Sequence, residues 1–184
     1  MRLVTFQETI GEYEGDQSLI DSAMDTVYNI KEKEPHSDGN SNYGGWQKTF
    51  EHPIKFIIET KFREYLQESG IPQPKWVGFT NFFCNINPPG AFHIMHHHTI
   101  GEFSGAFWLQ ADDNAGDLVV MNPFYNRFLN TCMFPAKDKD YNAAYFIPKP
   151  NTGVFFNSNL VHYVDVNRSN RDRVSIGYHI GVHY

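Results

Sequence analysis

The sequence predicts a mostly β chain with N-terminal helices, its strands arranged as a sandwich or jelly roll. Three observations carry that prediction. From Trp76 onward the chain breaks into about eight short β-rich segments divided by Gly, Pro, Asn and Asp. Before Trp76 lie two stretches whose apolar residues recur at three- and four-residue spacing, the period of an amphipathic helix. Aromatic residues make up 16% of the 184, which suits a β-rich core better than a helical bundle. The length fits one domain, with residues 1–75 as helical support and 76–184 as the β core.

The first helix is expected from about Asp16 to Lys33. Leu19, Ile20, Ala23, Met24, Val27 and Tyr28 form its apolar face, and Asp16 is the N-cap. Residues 35–46, from Pro35 to Trp46, read as a loop by composition. A second helix is expected to begin near Pro53, where proline at the first helical position is tolerated. Its stripe is Ile54, Ile57, Ile58, Phe62, Tyr65 and Leu66, and Gly70 with Pro72 ends it. Strands are expected near Val77–Ile86, Ala91–His96, Gly105–Gln110, Asp117–Met121, Ala144–Ile147, Gly153–Asn157, Val161–Val164 and Arg173–Gly181. Between the fourth and fifth lies a polar insertion, 122–142, carrying Tyr125, Arg127, Phe128, Phe134 and Lys137. A loop of that length in a compact domain is more often a lid or substrate-binding segment than filler.

Composition excludes several functions. A net charge of −6 and the lack of any Lys/Arg-rich run argue against a nucleic-acid surface. No apolar stretch reaches the ~20 residues of a membrane span. The opening residues 1–6 are followed at once by polar and acidic ones, unlike a signal peptide. Cys84 and Cys132 are the only cysteines and lack CxxC spacing, so a reduced, cytoplasmic protein is expected.

The chemistry concentrates in Phe92-His93-Ile94-Met95-His96-His97-His98, which holds four of the nine histidines. In an extended strand His96 and His98 share one face and His97 points away. Two imidazoles side by side are half of a metal site, and His162 is the best-placed distant ligand. The carboxylates of Glu102, Asp112 and Asp113 are close enough in sequence to compete with His98. In the last strand Arg173, Ser175, Gly177 and His179 alternate with Val174, Ile176, Tyr178 and Ile180, so one face is polar. If that face lines the interior, Arg173 is a buried cation requiring an anionic partner. A carboxylate would serve, gripped by the guanidinium fork with the Ser175 hydroxyl assisting. Arg171, two residues earlier on the same face, is the competing arginine.

Together these pieces resemble the Fe(II)/2-oxoglutarate-dependent oxygenases, closest to a subgroup of small oxygenases with His-x-His in place of the commoner His-x-Asp. The resembling residues are Gly44-Gly45-Trp46-Gln47, and Asn87-Pro88-Pro89-Gly90 leading to His96-His97-His98. They continue through Ser104 to Leu109, Gly116-Asp117-Leu118 and Pro150 to Phe156, and close with His162-Tyr163-Val164 and, eleven residues after His162, Arg173-Val174-Ser175-Ile176. The resemblance implies a double-stranded β-helix, a cupin-like jelly roll with the metal near its open end. It implies Fe(II) on His96, His98 and His162, and 2-oxoglutarate as co-substrate on Arg173 and Ser175. It also implies a small-molecule or peptide substrate together with O2. Trp108 stands where many relatives carry a tyrosine beside the co-substrate. His93 stands where most of the subgroup has asparagine, an extra imidazole next to the ligands. In this family oxidation of the 2-oxo acid to succinate and CO2 accompanies hydroxylation of a C–H bond. Two alternatives are a three-histidine cupin enzyme that uses no 2-oxoglutarate, and a non-catalytic metal-binding jelly roll.

Overall fold

A computed structural model describes residues 8–123 and 143–184. Most of the 122–142 insertion, with Cys132, lies outside them.

Both helices form where the period places them. Asp16 caps a single 3-10 turn, Gln17–Leu19, its carboxylate accepting from the Ser18 amide at 2.9 Å. The α-helix proper, α1, runs Ile20–Lys33 and buries Ile20, Ala23 and Val27. Tyr28 leaves the expected apolar face: it is 41% exposed, with its hydroxyl turned toward Asp172 at 3.4 Å. Helix α2, Ile54–Glu68, starts one residue after Pro53 and buries Ile54, Ile58, Phe62, Tyr65 and Leu66. Gly70, at φ +70°, takes the left-handed conformation that ends it.

All eight expected strands are present, and three more precede them. The additional ones are β1 (Gly11–Glu14), β2 (Asn42–Tyr43) and β3 (Trp46–Thr49). The last two fall in and at the end of the stretch read as a loop, which is pinned shut where the Trp46 indole donates to the Glu34 carbonyl at 2.9 Å. The expected strands are β4 (Trp76–Asn87), β5 (Phe92–His96), β6 (Phe103–Gln110), β7 (Leu118–Met121), β8 (Ala143–Phe146), β9 (Thr152–Asn157), β10 (His162–Val164) and β11 (Arg173–His183). They form two antiparallel sheets, ordered β1-β9-β6-β11-β4-β3 and β2-β5-β10-β7-β8. This is the jelly roll, a double-stranded β-helix.

Strand β11 explains the layering. It lies between β4 and β6, and every residue from Arg173 to Gly181 is buried. Its apolar set, Val174, Ile176, Tyr178 and Ile180, joins Phe107, Phe155 and Cys84 in a core with the helix residues Ile58, Phe62 and Leu66. The other face looks toward the second sheet. There Trp108, Leu118, Val120, Val154, Phe156 and Leu160 fill one part of the interior with apolar side chains. The remaining interior, on the side of Arg173, Ser175, Gly177 and His179, is an open cavity. Cys84 is buried and unpaired. Among the described residues no helix is long and apolar enough to cross a membrane.

Phe62 carries much of the helix–sheet contact, its ring 5.0 Å from Phe103 and 5.4 Å from Phe155, edge on. Phe62→Ala should destabilise by about 3–5 kcal/mol, the range for truncating a fully buried phenylalanine. Urea denaturation at neutral pH reads this directly; a loss under 1 kcal/mol would mean that α2 is not integral to the core.

Candidate metal centre

Strand pairing brings the histidines together. Strands β5 and β10 are antiparallel neighbours in the second sheet, registered so that His162 lies opposite His96. Residues opposite one another project to the same side, so both rings enter the cavity. His98 lies two residues past the end of β5, not on the strand as the sequence suggested. Its backbone is turned inward because its amide donates to the Ser158 carbonyl at 2.9 Å. The three side chains offer nitrogen atoms all within 4.8 Å of one another, and ring centroids are 4.4–4.8 Å apart. These residues could hold a metal ion.

Hydrogen bonds fix the tautomers of two of the rings. His96 Nδ1 donates to the Ile94 carbonyl at 2.6 Å, and His162 Nδ1 donates to the Leu160 carbonyl at 2.9 Å. A carbonyl only accepts, so each Nε2 keeps a bare lone pair for a ligand bond. Burial holds all three neutral: it lowers His96, pushes His162 down to about 4 and His98 to about 2, with neighbouring histidines adding repulsion. Neutral imidazole is the form that binds metal.

The competing carboxylates are placed elsewhere. Glu102 Oε2 accepts from the Val182 amide at 3.0 Å, and Asp112 faces Arg171 at 3.4 Å. Asp113 is exposed. Among the described residues, the cluster that could bind a metal contains three histidines and no carboxylate.

Arg173 and Arg171 separate as sharply. Arg171 is on the surface, paired with Asp112 and donating to Gln110 at 3.1 Å. Arg173 is 1% exposed and borders the same cavity as the histidines. Its Nη1 is clamped by the carbonyls of Ala115, Gly116 and Asp165. Its Nη2 is buried with no partner among the described residues. Desolvation lowers its pKa to about 10, against the raising influence of Asp165, so the group remains a cation at neutral pH. Gly116, at φ +90°, makes the clamp possible, because a Cβ there would strike the Asp165 carbonyl and lie 2.9 Å from Nη1.

The cavity measures about 490 Å³, within the usual range for small-molecule sites. Ser175 borders it, directly opposite Trp108 in the β6–β11 pair. Trp108 itself does not border the cavity; it packs in the apolar cluster between the sheets, because its large ring finds Leu118, Val154 and Phe156 there. His93 borders the cavity beside the three-histidine cluster without belonging to it, its Nε2 3.2 Å from Asn87 Oδ1. Burial first, and then Arg173, lower its pKa to about 3.

Sequence reasoning passed over His179. Its ring centroid is 4.0 Å from that of His98, and its Nδ1 is 2.9 Å from Ser104 Oγ, which in turn is 2.7 Å from Ser158 Oγ. The signal was available, since His179 shares the polar face of β11 with Arg173 and Ser175. The buried carboxamide of Asn85 was equally overlooked, although its alternation with Asn87 was legible in the same way.

The chain belongs to the family described as "Putative 2OG-Fe(II) oxygenase", whose profile matches residues 81–179, more than half of the sequence. Fe(II) and 2-oxoglutarate are the metal and co-substrate that define it. Solved structures share the fold. A prolyl-4-hydroxylase from Pseudomonas putida aligns over 96% of this chain and 94% of its own, with TM-score 0.66 and 12% identity. SnoK, a non-heme α-ketoglutarate-dependent carbocyclase from nogalamycin biosynthesis, aligns over 96% and 80%, with TM-score 0.68 and 12% identity. The 2-oxoglutarate complex of a collagen prolyl hydroxylase from Paramecium Bursaria Chlorella virus-1 aligns over 93% and 94%, with TM-score 0.59 and 14% identity. No curated protein matches the sequence.

The buried neutral histidines make stability pH-dependent. For His179 the folded value of about 4 lies below the ordinary 6.5, so the unfolded chain takes up the proton first. Its contribution is complete above about pH 6.5 and is lost as the pH falls toward about 4, on the order of 3 kcal/mol for this residue. Urea melts of metal-free protein between pH 7 and pH 4 should show that decline, and His179→Gln should flatten it by about that amount. An unchanged slope in the variant would mean that His179 takes up its proton at the same pH in the folded and unfolded chain.

Proposed function

We propose that this oxygenase hydroxylates a C–H bond of a small-molecule or peptide substrate, with Fe(II) on His96, His98 and His162 and 2-oxoglutarate on Arg173 and Ser175. The observation that carries the reading is Arg173, a buried cation with an orphaned Nη2 whose side chain borders the cavity that the three histidines line. A buried cation with one arm satisfied and the other unmet suits an anionic ligand. The distal carboxylate of 2-oxoglutarate is such a ligand, with the Ser175 hydroxyl as a second donor.

When bound, Fe(II) and 2-oxoglutarate supply the oxidation: one atom of O2 ends in succinate, formed with loss of CO2, and the other in the hydroxylated substrate. The protein's residues do the rest. The carbonyls of Ile94 and Leu160 keep His96 and His162 in the tautomer that turns Nε2 toward the metal. The carbonyls around Nη1 fix the guanidinium so that the co-substrate meets a preformed donor. Three neutral ligands leave the metal its full charge, which favours a dianionic co-substrate and holds Fe(II) alone less tightly than a triad with a carboxylate. Trp108 contributes as packing behind Ser175. The solved structures that share the fold include prolyl hydroxylases, a carbocyclase and an epimerase, and gain of one oxygen atom by a substrate is the product that distinguishes hydroxylation from the other two outcomes.

Anaerobic titration of the Fe(II)–2-oxoglutarate charge-transfer band tests the assignment. Arg173→Ala should keep iron and weaken 2-oxoglutarate by about 3 kcal/mol, roughly a hundredfold. Arg173→Lys should recover only part, the fork being lost. If Arg171→Ala weakens the complex and Arg173→Ala does not, the wrong arginine has been chosen.

Metal analysis tests the triad. Wild type should load about one equivalent of Fe(II), and His96→Ala, His98→Ala and His162→Ala less than about a tenth of that. His98→Asp should retain iron, and Glu102→Ala should load as wild type does. Iron lost in Glu102→Ala and kept in His98→Ala would remove His98 from the set.

A further inference from the structure

Two of the three clustered histidines carry an orienting bond of their own, and the third does not. His96 and His162 each donate from Nδ1 to the carbonyl two residues earlier. The His98 ring has no hydrogen-bond partner among the described residues; only its amide is held, by the Ser158 carbonyl at 2.9 Å. On the side away from His96 and His162 its ring meets a fourth imidazole. That is His179, with centroids 4.0 Å apart and planes inclined at 55°.

His179 is itself held firmly. It lies opposite Ser104 in the β6–β11 pair, with Nδ1 2.9 Å from Ser104 Oγ, and Ser104 Oγ is 2.7 Å from Ser158 Oγ. Toward β4 its ring neighbour is Phe83, at 5.7 Å. Phe83 can lie there because Gly177 has no side chain: a Cβ would come within 2.4 Å of the ring. The direction of the serine bonds can be deduced. Both serines are buried, and among the described residues the Ser158 hydroxyl has Ser104 as its one partner, so its proton goes there. Ser104 accepts that bond and spends its own proton on His179 Nδ1. The reverse order would leave the Ser158 proton without an acceptor. His179 is therefore the tautomer protonated at Nε2. Ser158 is anchored in turn, its amide donating to the Glu102 carbonyl at 3.1 Å in the turn that carries His98. The contacts close a circuit, from the His98 amide through Ser158, Ser104 and His179 back to the His98 ring.

We propose that His179, locked by Ser104 and Ser158, is the positioning residue for His98, setting how that ring approaches the metal without binding the metal itself. The proposal rests on the oxygenase reading and adds to it the group that orients the third ligand. His98 stands in a turn past the end of β5, where strand geometry no longer fixes its side chain. A ring packed against it restricts its rotamers before metal arrives, so binding need not meet that ordering cost.

The test uses protein labelled with ¹⁵N at histidine and loaded with zinc, a diamagnetic stand-in for iron. Long-range ¹H–¹⁵N spectra should show one metal-bound nitrogen in each of His96, His98 and His162. They should show His179 protonated at Nε2, bare at Nδ1 and free of metal. A metal-bound His179, or one protonated at Nδ1, overturns the proposal. Ser104→Ala releases the His179 ring and His179→Ala removes it. Each should displace the ring signals of His98 while those of His96 and His162 stay in place. Each should also weaken both zinc and Fe(II) by about tenfold or more, the range for groups that orient a metal ligand. If His179→Ala does not fold, Ser104→Ala decides alone. A merely structural role would move the signals of all three ligands together; that result, or affinity within about threefold of wild type, overturns the proposal. The two readings fail differently. Wild type that takes up no zinc overturns the metal assignment as well, whereas wild type that loads on three histidines beside variants that load equally well faults the positioning role alone.

Discussion

The structure depends on burying one guanidinium. Arg173 opens the central strand β11, fully buried, and a cation there without compensation would cost several kcal/mol. Half of the compensation is built in, as carbonyls of Ala115, Gly116 and Asp165 converge on Nη1. Those carbonyls lie on two loops, before β7 and after β10, so Arg173 ties the two sheets together at one end of the barrel. The other half is withheld: Nη2 has no partner among the described residues, and Arg173 borders the cavity that the histidines line. A side chain so placed clamps the barrel through one nitrogen and leaves the other unmatched.

A second constraint comes from strand register. Because β5 and β10 pair with His96 opposite His162, two ligand positions follow from backbone hydrogen bonds before any side chain is considered. A one-residue slip would carry one of them to the other face of the sheet and dismantle the cluster. The third position is less rigidly derived. His98 depends on a single backbone bond to Ser158, whose side chain also reaches Ser104 and, through it, His179. The polar face of β11 therefore touches the three-histidine cluster through His179 as well as supplying the arginine.

Period-two alternation made β11 legible in the sequence, down to which residues face the cavity, and helical spacing did the same for α1 and α2. The histidine cluster was legible because His-x-His near a strand end and a distant histidine form a familiar ligand pattern. Other features were hidden for physical reasons. Strands β1, β2 and β3 are two to four residues long and mostly polar, and they are strands because β9, β5 and β4 offer them edges, not because of their own propensity. Tyr13 shows how tertiary contact decides: its ring stacks 4.5 Å from Phe155, a partner far away in sequence. The choice between His98 and Glu102 turned on the turn after β5, which no periodicity specifies. Trp108 faced the correct side, but which inward residues line the cavity and which fill it is a question of packing between sheets, outside the reach of strand alternation.

Two glycines show how the cavity acquires two different kinds of wall. At Gly116 the missing side chain lets backbone carbonyls approach a guanidinium, producing a charged end with a surplus donor. At Gly45 it lets two uncharged carboxamides meet, Asn87 Nδ2 donating to Asn42 Oδ1 at 2.6 Å. Neither arrangement could be reached by changing the charged or amide residues alone, because a Cβ at either glycine would push the partners apart. Strand register sets the two arrangements side by side, Arg173 opposite Asn87 and Ser175 opposite Asn85, so both kinds of wall meet at one end of the cavity that the three histidines border.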